Sequence, residues 1–298
     1  MSLGRIWRFL GTHPLTRARR WRALVRVLRY QLAWRWYGAP LRVPFVDRMV
    51  LCVRHGMTGA TGNVYCGLHE FEHMAFCLHV LRADDVFLDI GANVGSYTVL
   101  AAAAGARVLA LEPVPSTHAA LCANIAANTL ESHVEAPRVG VAASPGRLRF
   151  SSAHDTVNRV LRADEPAHDA IEVEVSTVDA LLHGRVPLAL KLDVEGYEGA
   201  VLDGAVRTLA EVGLLAIVVE MNDTRMGADG QAHSAVDARL HTAGFVRQRY
   251  EPFARALSAD LGPPPAGGNA IYVRDAARVV ERLRAAPVYW IHGAGRAL

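Results

Sequence analysis

Apolar positions along the chain fall into two periods. Short apolar runs, Val86-Phe-Leu-Asp-Ile, Arg107-Val-Leu-Ala-Leu, Leu188-Ala-Leu-Lys-Leu and Leu214 to Met221, have the length and continuity of buried strands. Between them lie small-residue or helix-period segments: Val99 to Ala104, Ser116 to Asn128, and the stretch through Val201, Leu202 and Leu209. A third short strand is expected at Val139-Gly-Val-Ala. Alternation between Arg147 and Thr177 predicts a β-hairpin around the polar Asp155-Thr-Val-Asn-Arg loop. Further on, the pattern predicts a helix over 234–243, strands over 245–250 and 269–274, a loop over 252–268, and a surface helix over 275–285. Strands alternating with helices imply an α/β fold. We expect a doubly wound, mostly parallel sheet of seven strands, the last antiparallel, in a domain over residues 41–274. A helical arm (1–40) precedes it and a helix and tail (275–298) follow.

The arm has its own pattern. From Thr16 to Trp36, residues Trp21, Leu24, Val25, Leu28 and Leu32 recur at helical spacing, while Arg19, Arg22, Arg26 and Arg29 share another face. Such a basic amphipathic helix suits contact with an anionic membrane surface through residues 1–36, or packing of its apolar stripe on the domain with the arginines in water. Pro40 to Arg54 reads as a short strand or hairpin, Gly56 to Gly62 as a glycine-rich loop, and His69-Glu-Phe-Glu-His73 as the opening of a helix ending near Arg82.

Composition narrows the function. The 298 residues are 51% hydrophobic and 20% charged, as in a globular enzyme. The net charge of +3 hides an asymmetry: residues 1–54 carry twelve arginines against Asp47 alone, so the remainder is at −8. An acidic body gives no basis for nucleic-acid binding. Four cysteines without a paired spacing suggest free thiols, no apolar run is long enough to span a membrane, and arginines interrupt every candidate signal segment. Cytoplasmic residence is the expectation.

The chemistry concentrates at strand ends. Asp89-Ile-Gly-Ala-Asn-Val-Gly follows the first strand, and Gly91 and Gly95 permit a tight turn and close approach of backbone to a ligand. A dinucleotide fingerprint would carry a third glycine, and Asp89 would repel a pyrophosphate. A ligand with positive charge fits better. S-adenosylmethionine has an ammonium and a sulfonium, and Glu112, ending the next strand, is placed for its ribose. Gly91, Ala92, Asn93 and Gly95 would form the rest of the cradle. Lys191-Leu-Asp-Val-Glu-Gly-Tyr-Glu is the second anchor; Lys191 is the only lysine beside 31 arginines, which hints at a role that a guanidinium does not fill.

With Glu112-Pro between them, these two motifs resemble the FkbM family of S-adenosylmethionine-dependent methyltransferases, over about Gly67 to Val273. The resemblance implies a class I, Rossmann-like methyltransferase fold, S-adenosylmethionine as cofactor, and O-methylation of a small-molecule or glycan acceptor, commonly a sugar or polyketide hydroxyl. It also implies an adenine site near Val141 and Ala142, and an acidic residue, Glu70 or Glu72, near the cofactor's polar end. Asp193 or Glu195 would be the general base with Lys191 tuning it, and Glu198 and Glu220 would hold the acceptor or the network. Tyr250, Phe253 and Arg255 are expected as an acceptor wall. Asp193, Glu220 and Asn222 offer oxygens to a magnesium ion, but Lys191 competes for Asp193, so no metal is expected. Two other readings remain: a zinc hydrolase using the His69-Glu70-x-x-His73 pattern, and a non-catalytic scaffold that keeps the cofactor fold.

Overall fold

The computed structural model describes residues 3–54, 57–151, 160–161, 170–221, 233–262 and 268–298. The arm forms α1 (Leu3–Thr12) and α2 (Arg20–Tyr37), followed by a hairpin of β1 (Leu41–Pro44) and β2 (Val50–Val53). Next come α3 (Thr58–Cys66), α4 (Phe71–Val80), β3 (Val86–Ile90), α5 (Ser96–Ala103), β4 (Arg107–Leu111), α6 (Pro115–Ala127) and β5 (Val134–Glu135). Strands β6 (Gly140–Val141), β7 (Gly146–Ser151) and β8 (Ala170–Ser176) form a separate sheet in the order β6-β8-β7. The chain continues through α7 (Val178–Leu181), β9 (Ala189–Leu192), α8 (Glu198–Asp203), α9 (Val206–Ala210), β10 (Ala216–Glu220), α10 (His233–Thr242), β11 (Val246–Glu251), β12 (Ala256–Ala259) and β13 (Asn269–Val273). Helix α11 (Ala276–Arg284) and a final hairpin of β14 (Trp290–Ile291) and β15 (Arg296–Ala297) end it.

The main sheet has eight strands in the order β12-β11-β13-β10-β9-β3-β4-β5. Strands β10, β9, β3, β4 and β5 are parallel, and β13 runs antiparallel to both its neighbours. This is the doubly wound α/β sheet read from the sequence, extended by the edge strand β12 out of the stretch expected to be a loop. The third parallel strand also differs from expectation. It is β5, a two-residue pairing of Val134 and Glu135 with β4, whereas Gly140 and Val141 pair with β8 in the second sheet. The expected hairpin is present as β7 and β8, in register from Gly146↔Val175 to Ser151↔Ala170; its Asp155–Arg159 loop lies outside the described residues.

Successive strand residues bury against opposite layers, as a sheet covered on both faces requires. Phe87, Val108, Ala189 and Val218 join the core that includes α4 and α5, while Leu88, Leu109, Leu190 and Ile217 join the core beneath α8, α9 and α10. The arm belongs to the first core through Ile6, Leu10, Leu15, Ala23, Val27 and Tyr30. The tail joins it too: Ile291 bridges to Val46, and Trp290 exchanges backbone and side-chain hydrogen bonds with Asp47. Among the described residues no helix is long and apolar enough to cross a membrane.

The strand order reverses between β3 and β9, where the chain departs to one side through β4 and to the other through β10. Ligands of doubly wound sheets bind in the crevice outside the carboxyl ends at that point.

Candidate active site

The loop after β3 is shaped by three left-handed residues, Gly91 (φ 75°), Asn93 (φ 52°) and Gly95 (φ 91°). The two glycines are needed for different reasons. A Cβ on Gly91 would lie 1.8 Å from the Asp193 carbonyl oxygen, so glycine lets the ends of β3 and β9 meet. A Cβ on Gly95 would lie 2.7 Å from Leu121, so glycine there lets α5 pack on α6. Backbone N–H groups of Gly91 and Ala92 both donate to the Leu111 carbonyl, at 3.0 Å, and Asn124 Nδ2 donates to the Val94 carbonyl, at 2.7 Å. The loop is therefore fixed before any ligand arrives.

Two carboxylates flank it. Glu112 accepts from the Asn93 N–H through Oε2 (3.0 Å) and from the Val114 N–H through Oε1 (2.9 Å). Asp89 is 1% exposed and accepts from the Thr98 hydroxyl at 2.6 Å. Burial raises both, Glu112 to about 7 and Asp89 to about 6, against the hydrogen bonds that oppose it.

At the end of β9, Lys191 is buried and its Nζ donates to Asp193 Oδ2 at 3.0 Å, while the ammonium lies 5.4 Å from the centre of the Tyr97 ring. Burial opposes the Lys191 charge, but Asp193, Glu70 and Glu220 outweigh it and hold the ammonium firmly protonated. Burial likewise pushes Asp193 up, and Lys191 reverses this, leaving Asp193 below the usual carboxylate value. Glu220, from the end of β10, is pushed up to about 10 by burial and by the Asp193 charge beside it. Carboxylate oxygens of Asp193, Glu195 and Glu220 lie within 4.8 Å of one another. One of two adjacent carboxyls is thus ionised near neutrality and the other protonated.

Of these groups, Glu112, Asp193, Glu195 and Glu220 line one cavity of about 260 Å³. One part of its lining is an apolar slot of Leu111, Pro113, Val139, Val141, Phe150 and Val160 beside Glu112; the other is acidic, with Glu70, Asp193, Glu195 and Glu220. A smaller inner cavity of about 90 Å³ shares Gly91, Asn93 and Asp193 and adds Asp89, Ala92, Tyr97 and Lys191.

Most of the sequence-derived residues therefore converge. Gly95, Ala142 and Glu198 line neither cavity. Gly95 sits under α6, the Ala142 N–H donates to the Ser176 carbonyl, and Glu198 accepts from the Gly196 N–H at 3.0 Å, closing the turn after β9. Asn222 lies outside the described residues. Of the two acids offered from the helix start, Glu70 reaches the cavity, whereas Glu72 accepts from the Tyr250 N–H at 2.8 Å. The expected acceptor wall is elsewhere: Tyr250 bonds His79, Phe253 packs on Phe71, and Arg255 binds the Ala286 and Pro287 carbonyls.

Sequence reasoning missed two contributors. Tyr97 donates to Glu70 Oε2 at 2.6 Å, and α3, which replaces the expected glycine-rich loop, brings Gly59 and Asn63 to the inner cavity. Tyr97 is the single aromatic residue in the small-residue run after Gly95, the one signal that marked it. The zinc reading finds no support. His69 precedes α4 rather than sharing a turn with His73, and among the described residues the group of three or more His, Cys, Asp or Glu side chains close enough to hold an ion is Asp193, Glu195 and Glu220.

A family model described as the methyltransferase FkbM domain matches residues 89–247. The hexuronic acid methyltransferase AglP of Haloferax volcanii is 28% identical over 155 residues, a match spanning 51% of this chain and 62% of that protein. Among solved structures, a methyltransferase FkbM from Methylobacillus flagellatus KT superimposes with a TM-score of 0.43 at 14% identity, covering 72% of this chain and 52% of that one. The C-terminal domain of precorrin-6Y C5,15-methyltransferase from Rhodobacter capsulatus gives 0.40 at 16% identity, covering 69% and 88%. Because the family match takes in both strand-end motifs and more than half of the residues, the chain belongs to the FkbM methyltransferase family, with S-adenosylmethionine as its cofactor.

Proposed function

We propose that this protein transfers the methyl group of S-adenosylmethionine to a hydroxyl oxygen of a sugar or glycan. The observation that carries the reading is the polarity gradient of the cavity lining, from an apolar slot beside Glu112 to Asp193 and Glu220, with Lys191 bonded to Asp193 from the adjoining smaller cavity. The cofactor fits that gradient. Val141 and Phe150 suit the faces of an adenine, Glu112 keeps acceptor capacity for ribose hydroxyls beyond its two backbone bonds, and the acidic part of the lining suits positive charge. When bound, S-adenosylmethionine supplies a methyl group on a sulfonium that leaves as a neutral thioether. The chain then has to align an acceptor oxygen and take up one proton.

Asp193 is the group best placed for the proton. Lys191 keeps it ionised, and a carboxylate at the strand end accepts a hydrogen bond from an acceptor hydroxyl, which fixes the direction of the oxygen lone pair. Glu220, protonated near neutrality, donates within the same set and holds the acceptor. Acidic side chains outnumber the one ammonium at this end, which disfavours an anionic acceptor atom, so a hydroxyl is favoured over a carboxylate. The name of the Haloferax relative supports a sugar as the acceptor class. Four unpaired cysteines suit a reducing, cytoplasmic compartment.

The test is transfer from methyl-labelled S-adenosylmethionine to a panel of neutral and uronic sugars by the full chain, with and without EDTA. An alkali-stable methyl ether, formed equally in EDTA, is expected. An alkali-labile ester would overturn the hydroxyl assignment, and activity lost on chelation and restored by magnesium would assign Asp193, Glu195 and Glu220 to an ion. Neither transfer nor calorimetric binding of the cofactor would leave the scaffold reading in its place.

A further inference from the structure

Helix α2 shows three faces. Ala23, Val27 and Tyr30 point into the core, and Arg26, on the same side, donates to the Val64 and Tyr65 carbonyls of α3. On the far side Trp21, Val25, Leu28, Leu32 and Trp36 stand one turn apart in a single row, and the row is exposed: Trp21 and Leu32 are 66% exposed and Trp36 is 87% exposed, with the inner edge of Trp21 against the Trp7 ring of α1. Of the stripe read from the sequence, Leu24 packs against the core, whereas Trp21, Val25, Leu28 and Leu32 are exposed. At about 1.5 Å per residue the row runs for roughly 22 Å. Single exposed apolar side chains are ordinary on a protein surface, but a continuous row of five large ones is not.

We propose that this row is the seat of an anionic membrane surface, on which α2 lies in the plane of the headgroups. Charge selects the occupant. Arg22 and Arg29 border the row on one side and Arg35 on the other, all exposed, and no acidic residue occurs before Asp47. Long arginine stems reach past an apolar face to anionic headgroups, and tryptophans at both ends of a row suit the boundary between headgroup and acyl chain. A second copy of the chain would bring two arginine-rich arms together with no carboxylate between them. The body, at −8, is repelled by the surface that attracts the arm, so the molecule docks in one orientation. Helix α3, bonded to α2 through Arg26, contributes Gly59 and Asn63 to the cavity lining, which puts the site one helix from the docking row. This inference does not depend on the proposed reaction.

Co-sedimentation of the full chain with vesicles of phosphatidylcholine plus phosphatidylglycerol, against phosphatidylcholine alone, tests it at low and high salt. Binding to the anionic vesicles, weakened by salt, is expected. A Leu28→Ser, Leu32→Ser, Trp36→Ser variant and an Arg22→Glu, Arg29→Glu variant should each lose on the order of tenfold or more in partition. Both alter exposed side chains, and an unchanged melting temperature confirms that they fold. No binding by the parent chain at low salt, or binding untouched in both variants, would overturn the proposal. So would a dimer in sedimentation velocity that the serine substitutions dissociate, since the row would then be covered by a second copy.

Discussion

Lys191 is 1% exposed and charged, an expensive combination unless its partners are fixed. Asp193 at 3.0 Å and the Tyr97 ring supply those partners, and in return the ammonium keeps Asp193 ionised. Removing it takes away the charge that keeps the half-buried Asp193 ionised beside Glu220, so the proton acceptor is weakened while the slot beside Glu112 is untouched. Lys191→Met should therefore lower kcat by on the order of 10²-fold, the usual scale of general-base loss, with cofactor affinity changed only a few-fold in calorimetry. Glu112 and Asp89 act on the other quantity. Substituting either by Ala should weaken cofactor binding by about 1–3 kcal/mol, the cost of a lost charged hydrogen-bond partner. Both carboxyls are raised by burial, from 4.5 to about 7 and from 3.8 to about 6. A raised folded-state carboxyl stabilises the fold in full below its unfolded value and loses that contribution as pH climbs through the folded one. The bare protein's melting temperature should thus fall between about pH 4 and about pH 7. Over the same window cofactor affinity should rise, by up to about tenfold per pH unit for each proton released, because the ligand's hydroxyls and ammonium prefer the ionised carboxylates. A pH-independent Kd would mean that neither carboxyl titrates on binding.

At the scale of elements, what was legible followed from how local the signal was. The strand-turn-helix at Val86 to Thr98 and the Lys191 to Glu198 turn are written in consecutive residues, and both form where the pattern puts them. Long-range packing decided the rest. Gly62 reads as a loop former, yet a Cβ there would meet His69 at 2.4 Å; it is a contact glycine inside α3, and nothing in its neighbours says so. Strand β5 is too short to show a period, so the apolar Val139 run next to it looks like the third strand of the main sheet. On α2, apolar residues lie on two sides of the helix, and a wheel alone does not tell the buried side from the wet one. Gly91 is the sharpest test of the crossing at β3 and β9. Its left-handed φ and the Asp193 carbonyl both exclude a side chain, so Gly91→Ala combines backbone strain with overpacking, each costing about 1–3 kcal/mol. A melting temperature lowered by several degrees together with loss of cofactor binding is expected. An unperturbed variant would show that the two strand ends are not in contact.

The whole molecule ties its two ends to one core, and that changes what the arm can be used to test. Its charge and helical pattern, read alone, describe a detachable basic helix. In the structure Ile6, Leu10, Leu15, Val27 and Tyr30 are buried in the same core as Phe87 and Leu100, Arg26 caps two carbonyls of α3, and the C-terminal hairpin closes on Asp47 just beyond. Burial of a large apolar side chain contributes about 1.5–3 kcal/mol, so five of them approach the entire margin by which a domain is stable. Deleting residues 1–36 should accordingly lower the melting temperature sharply, by ten degrees or more on the order-of-magnitude scale of a few degrees per kcal/mol, and weaken cofactor binding as α3 loosens beside the cavity. Substitutions on the wet side of α2 should leave both unchanged, because exposed positions away from caps and cores shift stability by less than about 0.5 kcal/mol. Thermal denaturation of the truncated chain beside the Leu28, Leu32 and Trp36 serine variant separates the two faces of one helix. Equal melting temperatures for the truncated and full-length chains would mean that the arm does not share the core and that its buried side chains are replaceable by water.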